Sequence, residues 1–576
     1  MLQRMRLWQR ETHGAQFELV RHFLSQQLAY EFISSDQVRR LVITTLTALA
    51  CVGPLIIRLY LPKYAQLQGL PSPDLYQAAV RADRLFFMSL SMITVGLVSA
   101  FQWQNLFPSR QDYLTLKPLP LRLHQVFVAR FVAAFVIFAI VVIDLNSATS
   151  LLFPWITSGR WQRPPFGAQY VFAHAAATMG AGLLIFLAIV AIQGVCLTLL
   201  SSRAFERVSV AIQAVLITLF VAAIPSVFEM PNWHRMIQQQ PHWLIFFPPA
   251  WFLGLYESLL GAQDAFLLRL AHIATLSLWI TFAVASASYL ISYRRHAIRI
   301  LEQARSNRGS RTPGAIVSSL PEILISSSRE RAVFSFISRT LQRSRHHKFL
   351  LQLSMGLALI MAVQSAGPML LSNFRSGRAW EPWQIESILA LPLVIGAVLI
   401  SALCYVFQLS SEVRANWIFR MAESAGRREL LDGGERVLVV WGVIPAILLS
   451  LPIEVLTVGW IATLAHSILA AVLLFLLIEA RLRDWHKIPF TCSYLPGRRS
   501  IWQIIGLYLL LFSVVIPVIT FFEAQFLRWF VLIGAVVPLT IPYVVLRSER
   551  QRQWTVVPLL FDESEESVIG GIKLNY

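Results

Sequence analysis

Long, uninterrupted apolar runs constrain this chain more than any other feature of its sequence. Several of them exceed the roughly 18 residues that a membrane-spanning helix needs. Lipid offers no hydrogen-bond partners to the backbone, so runs of this length that cross a bilayer are expected to be helical. Only 14% of the 576 residues are charged, whereas a soluble domain has about 25%. The sequence therefore predicts an all-α polytopic membrane protein.

The apolar runs predict about twelve transmembrane helices, with boundaries good to a few residues. They cover residues 41–61, 85–103, 126–152, 171–200, 208–224, 266–293, 349–371, 385–409, 437–455, 459–479, 501–522 and 526–546. We interpret them as two parallel six-helix membrane halves, 41–293 and 349–546. The other predicted parts are a cytoplasmic amphipathic segment, 1–40, a basic cytoplasmic linker with an amphipathic helix, 294–348, and a cytoplasmic tail, 547–576.

The net charge of +18 raises the question of a nucleic-acid partner. The basic residues, however, lie at the ends of apolar segments rather than in one contiguous patch, which favours topology signalling over phosphate binding. With twelve spans, most of the 49 Lys and Arg residues fall in loops on one side of the membrane. That side is the cytoplasm by the positive-inside rule. The pattern predicts that both termini are cytoplasmic and that no nucleic acid binds.

Two amphipathic helices are predicted, each directly before the first span of a half. In the first, residues 17–33, the apolar face consists of Phe17, Val20, Leu24 and Leu28. In the second, residues 329–345, it consists of Val333, Phe334, Ile337 and Leu341. A basic surface helix of this kind is typical of the inner membrane surface. The repeat between the halves is one of layout rather than of sequence.

A long aromatic segment, residues 229–261, separates the fifth and sixth spans. It contains Trp233, Trp243, Trp251 and Tyr256, and Pro248–Pro249 is expected to break it. Trp and Tyr favour the headgroup level of a bilayer. The segment therefore predicts a pair of short interfacial or re-entrant helices on the outer side.

The sequence has none of the common motifs of a hydrolase. A phosphate-binding G-x-x-x-x-G-K-S/T loop and an H-E-x-x-H zinc motif are absent, and none of the four cysteines lies in a C-x-x-C pair. The ionisable residues within predicted spans are Arg58, Asp144, Glu454 and Glu479. Arg58, Glu454 and Glu479 fall near span ends, where long side chains can reach the membrane interface. Only Asp144 lies deep enough to be a possible intramembrane polar site, with a packing role as the alternative. We expect no metal site, no catalytic residues and no clustered carboxylates or histidines.

The polar loop between the second and third spans, residues 104–130, carries a resemblance to a known family. The residues that carry it are Trp103, Phe107, Pro108, Ser109, Arg110, Asp112, Leu116, Leu119, Pro120 and Arg122. With the amphipathic helix before the first span and the short outer helices after the fifth, this loop resembles the membrane subunits of bacterial type-2 ATP-binding cassette exporters. The resemblance is best over residues 15–295 and weakens over residues 330–546.

The resemblance implies a transport subunit rather than an enzyme. The chain would bind no cofactor, and ATP would be used by a separate ATPase subunit, in two copies, docked on cytoplasmic coupling loops. The coupling-loop residues would be Arg110, Asp112, Pro118, Pro120 and Arg122 in the first half, and Arg414, Trp417, Arg420 and Glu423 in the second. The resemblance also implies a bacterial inner-membrane location, with membrane lipids as the other partners.

Three alternatives stay open. A proton-coupled secondary transporter has twelve spans in two halves as well, although the loop LFPSRQDYLTLKPLP differs from its usual motif and no intramembrane acid–base relay is evident. A membrane-embedded transferase on lipid-linked substrates should have clustered acids in an outer loop, where only Glu229 and Glu257 occur. A structural or assembly protein is the third.

Overall fold

The computed structural model describes most, but not all, of the chain. The described residues are 14, 16–26, 52–70, 73–108, 112, 115–116, 118–119, 121–161, 167–305, 327–377, 380–409, 419, 421, 427–483, 485–491, 506, 509–525, 529–557 and 559. They are 89% helical and none of them lies in a strand. The all-α class predicted from the apolar runs is confirmed.

Nine helices among the described residues are long and apolar enough to cross a membrane. This makes the chain a multi-pass membrane protein, and each of the nine overlaps one of the predicted spans. The three other predicted spans, 41–61, 501–522 and 526–546, fall partly outside the described residues, so the total of twelve stays a prediction. The chain divides into two compact units, Met1–Gly309 and Ser310–Tyr576.

The described residues of unit 1 form nine helices. They are α1 (residues 16–26), α2 (Val52–Gln68), α3 (Pro73–Phe101), α4 (Leu123–Ile156), α5 (Ala168–Leu199), α6 (Ser202–Glu229), α7 (His234–Gln238), α8 (Pro248–Leu259) and α9 (Ala265–Arg305). Short 3₁₀ turns occupy Trp103–Asn105, Met230–Trp233 and His242–Phe246. Helix α5 packs against α3, α4, α8 and α9, so it forms the centre of the unit.

Small residues allow the helices of unit 1 to approach closely, as is usual in membrane bundles. On α5, Ala173, Ala177 and Ala181 are fully buried at four-residue spacing. On α8, a Cβ at Gly254 would lie 2.5 Å from the Leu267 carbonyl oxygen of α9, so only glycine fits there. This close contact brings α8 into the body of unit 1.

Helix α8 refines the interpretation of the aromatic segment. Pro248 and Pro249 divide the segment as predicted and begin this helix, because the first turn of a helix has no partner for its N–H groups. Tyr256, predicted to anchor at the headgroup level, is fully buried, whereas Trp243 is exposed. The segment is therefore partly a core element.

Helices α1 and α3 also differ from prediction. Helix α3 starts at Pro73 rather than at residue 85, because the charged residues that precede Leu85 are buried and paired in the protein. In α1, Phe17 is 66% exposed, while Leu19 and Phe23 are buried. The buried face is rotated from the predicted one because α1 packs on α4, as described below.

In unit 2, eight helices lie within the described ranges. They are α10 (Ser328–Arg343), α11 (Arg345–Ser376), α12 (Pro382–Val406), α13 (Arg427–Leu438), α14 (Ile444–Val458), α15 (Trp460–Leu482), α16 (Ile516–Gln525) and α17 (Trp529–Val556). Single π turns, Val439–Val443 and Leu511–Val515, lead into α14 and α16. Helix α12 is the core of the unit and packs against α11, α14, α15 and α16.

Candidate functional site

The loop that follows α3 is held to α1 and α4 by a buried hydrogen-bond network. The Arg130 guanidinium on α4 donates from Nε to the Asn105 carbonyl oxygen at 2.8 Å and from Nη1 to Gln26 Oε1 at 2.6 Å. Gln26 Nε2 in turn donates to Asp112 Oδ1 at 3.0 Å. Arg130 and Asp112 are 2% and 5% exposed. The network compensates the charges of Arg130 and Asp112, which are both buried away from water.

Apolar packing supports the same junction. Arg130 lies over the ring of Phe23 at 4.8 Å, a cation–π contact that also shields the guanidinium. Leu19 and Phe23 of α1 pack against an apolar patch of α4 formed by Val126, Ala129 and Ala133, and the loop adds Leu116 and Leu121. Helix α1, the loop and the first turns of α4 therefore form one packed body, which we call the α1 clamp.

The structure places the first group of predicted coupling residues in different environments. Asp112 is buried inside the α1 clamp, whereas Pro118 and Arg122 are exposed. Arg122 begins α4, where its backbone N–H donates to Gln125 Oε1 at 2.9 Å. The described tip of the loop thus consists of Pro118, Leu119 and Arg122. Arg110 and Pro120 lie outside the described residues.

The second group of predicted coupling residues, Arg414, Trp417, Arg420 and Glu423, lies outside the described residues. The helix that follows them, α13, is held by the amphipathic helix α10. Glu330 of α10 accepts from Arg436 Nε at 2.9 Å, and the Ser327 hydroxyl donates to Glu429 Oε2 at 2.7 Å. The predicted apolar face of α10, Val333, Phe334, Ile337 and Leu341, is buried.

Asp144 is half-buried on α4. Its Oδ2 atom is buried and has no hydrogen-bond partner among the described residues. No hydrogen bond or ion pair joins it to Asp112, Pro118 or Arg122, the predicted coupling residues that the structure describes. A role as an intramembrane polar site stays a prediction.

At the other end of α3, unit 1 contains a buried charge cluster that sequence reasoning missed. Lys63 Nζ donates to both carboxylate oxygens of Asp83, at 2.8 and 2.7 Å, and the Tyr64 hydroxyl donates to Asp83 Oδ2 at 2.5 Å. Asp83 is fully buried. The ammonium group and the phenol compensate this carboxylate where α2 meets α3.

The next residue on α3 pairs with α8. Arg84 Nη1 donates to Glu257 Oε1 at 2.7 Å, and Arg81 Nε lies 3.4 Å from the same oxygen. The Arg84 guanidinium also stacks over the Tyr256 ring at 4.0 Å. Burial raises the pKa of the Tyr256 phenol, which keeps it neutral. His174 is fully buried beside this cluster, and both of its ring nitrogens lack hydrogen-bond partners among the described residues.

The sequence contained a signal for this cluster. Apolar residues continue at helical spacing before the predicted start of the second span, at Tyr76, Ala79 and Val80. Arg81, Asp83 and Arg84 lie just before the predicted start of the span, and charged residues are costly in lipid. Their partners on α2 and α8 remove that cost, and they are not visible from the local sequence.

In unit 2, one buried arginine joins three helices. Arg550 of α17 is 1% exposed, and its Nη2 donates to Glu435 Oε2 of α13 at 2.6 Å. Its Nε lies 2.6 Å from Glu479 Oε2 of α15. The guanidinium stacks over Trp554 at 4.2 Å. Glu479, predicted to reach the membrane interface, is instead buried in this network.

A second group of ionisable residues in unit 2 corrects the expectation that carboxylates and histidines are not clustered. Glu454 of α14, His466 of α15 and Glu523 of α16 lie together, with His466 Nδ1 3.2 Å from Glu523 Oε2. Glu454 was predicted to reach the interface, yet it is fully buried. We call these three residues the acid–histidine triad.

Comparison of the chain with protein-family models, with curated proteins and with solved structures finds no match. Within the described ranges, no group of three or more His, Cys, Asp or Glu residues is arranged to hold a metal ion.

Proposed function

We propose that this chain is the membrane subunit of an ATP-driven exporter of the type-2 ATP-binding cassette kind. In this proposal it has twelve spans in two parallel six-helix halves and moves its substrate across the bacterial inner membrane. Both termini are cytoplasmic. The energy comes from a separate ATPase subunit, because the sequence contains no phosphate-binding loop of its own.

The α1 clamp is the observation that carries the proposal. An ATPase can drive a membrane subunit only if the surface it touches moves together with the helices that line the pathway. Here the loop tip with Leu119 and Arg122 is joined through buried Asp112 to Arg130, within the third turn of α4. Close-packed interiors transmit displacement with little compression. A force on the loop tip would therefore reach α4 and α1 together.

The loop tip has the composition of a docking surface. Leu119 is 51% exposed and stands beside exposed Arg122, a combination of an apolar anchor and an arginine that is common in protein interfaces. Asp112, in contrast, would act from inside the α1 clamp, where it holds the loop in place. In this proposal the loop tip contacts the ATPase subunit directly, and Asp112 positions the loop.

Unit 2 has a similar arrangement, which favours two coupling points. Helix α10 precedes the first span of this unit, α11, and packs on α13, which leads into its third span, α14. In unit 1, α1 precedes the first predicted span and packs on α4, the third predicted span. Both predicted coupling loops thus lead into a helix that an amphipathic helix holds, which agrees with two ATPase copies per chain.

The proposal is tested by purification of the tagged chain in mild detergent from its native host. We expect a stoichiometric partner with a phosphate-binding loop that hydrolyses ATP. The double variant Leu119→Asp/Arg122→Glu should reduce its recovery at least about tenfold, the loss of roughly 1.4 kcal/mol of binding. Arg160→Glu is the matched control, since this exposed arginine follows the far end of α4, and it should retain the partner.

Two results would contradict the proposal. One is a monodisperse chain with no ATPase attached, which would favour the transferase or secondary-transporter alternatives. The other is retention of the ATPase by the double variant at wild-type level, which would remove the loop tip from the interface.

A further inference from the structure

The acid–histidine triad joins three helices of unit 2. Glu454 and His466 are fully buried and Glu523 is 5% exposed. The His466 ring nitrogen Nδ1 lies 3.2 Å from Glu523 Oε2, and Glu454 is close enough to interact electrostatically with both of the others. The two helices that carry Glu454 and His466 meet at Gly459, whose positive φ of +86° allows the sharp turn between them.

Glu454 is the unusual member of the triad. Both of its carboxylate oxygens are buried without a well-formed hydrogen bond among the described residues. The nearest donor is the Ser450 hydroxyl, one turn earlier on α14, which also lies 3.1 Å from the Ile447 carbonyl oxygen and has only one proton to donate. An ionised carboxylate buried with so few donors is unfavourable, and such a group takes up a proton or binds a cation instead.

The elements packed around the triad bring no compensating positive charge other than the imidazole. Helices α14 and α16 carry no ionisable side chain apart from Glu454 and Glu523. On α15, Glu479 and Arg481 are 13 and 15 residues from His466, roughly 20 Å along the helix. Helix α12 contributes the Leu389 carbonyl to the imidazole.

A further residue of α12 and helix α17 complete the surroundings of the triad. Glu386 lies one turn before Leu389 on α12 and is half-buried. Helix α17 faces Ala465 and Leu469 with Ala535, Val536 and Leu539, and its charged residues begin at Arg547, more than two turns further along. Among the described residues, two carboxylates thus share one imidazole.

The charge balance distinguishes the triad from the other buried clusters of the chain. Asp83 has Lys63, Glu257 has Arg84, and Glu479 has Arg550, so each of these carboxylates is compensated by a cation that stays charged. The triad would bury two negative charges if its imidazole were neutral. It also does not have the arrangement of a metal site, and an imidazole is a poor ligand for hard cations such as Ca²⁺ and Mg²⁺, which take oxygen donors.

We infer that Glu454, His466 and Glu523 form a proton-binding site in the membrane interior of unit 2. At neutral pH the site holds two protons, one shared between His466 and Glu523 as an imidazolium–carboxylate pair and one on Glu454. Both protons come from water and return to water, so no other reactant is needed. Because the three groups lie on three helices, loss of a proton would place like charges between α14 and α16 and drive these helices apart.

The site is tested by infrared difference spectroscopy of the purified full chain in lipid nanodiscs, titrated from acidic to alkaline pH. We expect the carbonyl stretch of a protonated carboxylic acid at pH 7, with a shift in heavy water. Glu454→Gln should lose this band. Glu454→Asp, which keeps a carboxyl group, should retain it at a changed frequency. Glu549→Gln is the control, since Glu549 is exposed near the opposite end of unit 2, and it should leave the band unchanged.

Two outcomes would overturn the inference. Persistence of the band in both Glu454→Gln and Glu523→Gln would assign the proton elsewhere. Absence of the band from the wild type at pH 7 would mean that both carboxylates are ionised. These readouts need no ATPase, so they stand or fall independently of the exporter proposal.

Discussion

Arg84 illustrates how this chain accommodates charge at the level of single residues. The guanidinium is almost completely buried and satisfies two needs at once, an ion pair with Glu257 at 2.7 Å and stacking on Tyr256 at 4.0 Å. A planar guanidinium suits both contacts, whereas an ammonium suits only the first. The pair therefore fixes α8 to α3 with a geometry that a lysine would not reproduce.

We expect Glu257→Gln to destabilise unit 1 strongly. The substitution keeps the shape of the side chain but leaves Arg84 buried without its carboxylate, which costs about 3–5 kcal/mol in comparable pairs. The measurement is the unfolding temperature in mild detergent, which should fall clearly. Arg84→Lys should have a smaller effect of the same sign. Glu229→Gln, at an exposed residue of α6, is the control, and an equal fall there would contradict the assignment.

At the level of elements, the apolar sequence was sufficient to place the helices but not their buried charges. Nine long apolar helices lie where hydropathy predicts them, because backbone hydrogen bonding in lipid leaves few other choices. Arg84 and Glu257, in contrast, are 173 residues apart, and Gln26 and Arg130 are 104 apart. Such pairings depend on tertiary packing, which the periodicity of apolar residues in the local sequence cannot indicate. The acid–histidine triad was missed for the same reason.

Helix α1 allows a direct test between the apolar face predicted from the sequence and the face that the structure buries. The sequence placed Phe17 on the apolar face, whereas the structure exposes it by 66% and buries Phe23 fully against α4. We expect Phe23→Ala to cost about 3–5 kcal/mol, the usual range for a buried phenylalanine. It should also weaken the α1 clamp, because Phe23 covers the Arg130 guanidinium.

Phe17→Ala is the matched control for this prediction, with the same change of side chain on the same helix. It should leave the unfolding temperature within the small range of surface substitutions. Limited proteolysis adds a second readout, since release of α1 would expose the segment around Asp112. A larger effect of Phe17→Ala than of Phe23→Ala would favour the face predicted from the sequence.

At the scale of the whole molecule, the buried charges and the basic segments of the sequence differ in what they indicate about membrane orientation. The buried ones are nearly all compensated within their unit, so they say little about orientation. The sequence offers a better guide, because residues 294–348 carry twelve basic and three acidic residues. By the positive-inside rule, we predict that this segment is cytoplasmic. The orientation of the chain can therefore be predicted from its most basic segment.

We predict that Arg122 and Arg345 face the cytoplasm and that Arg160 and Glu381 face outward, because four spans separate the first two residues and each span reverses the side. The measurement uses a chain in which the four native cysteines are replaced by serine. Into this chain we introduce one cysteine at a time, as Arg122→Cys, Arg345→Cys, Arg160→Cys or Glu381→Cys, and label it with a membrane-impermeant thiol reagent. Arg122→Cys and Arg345→Cys should react only in inverted vesicles, and the other two only in intact spheroplasts. Labelling of Arg122→Cys and Arg345→Cys from opposite sides would mean an odd number of spans between them, and the two halves would then not be parallel.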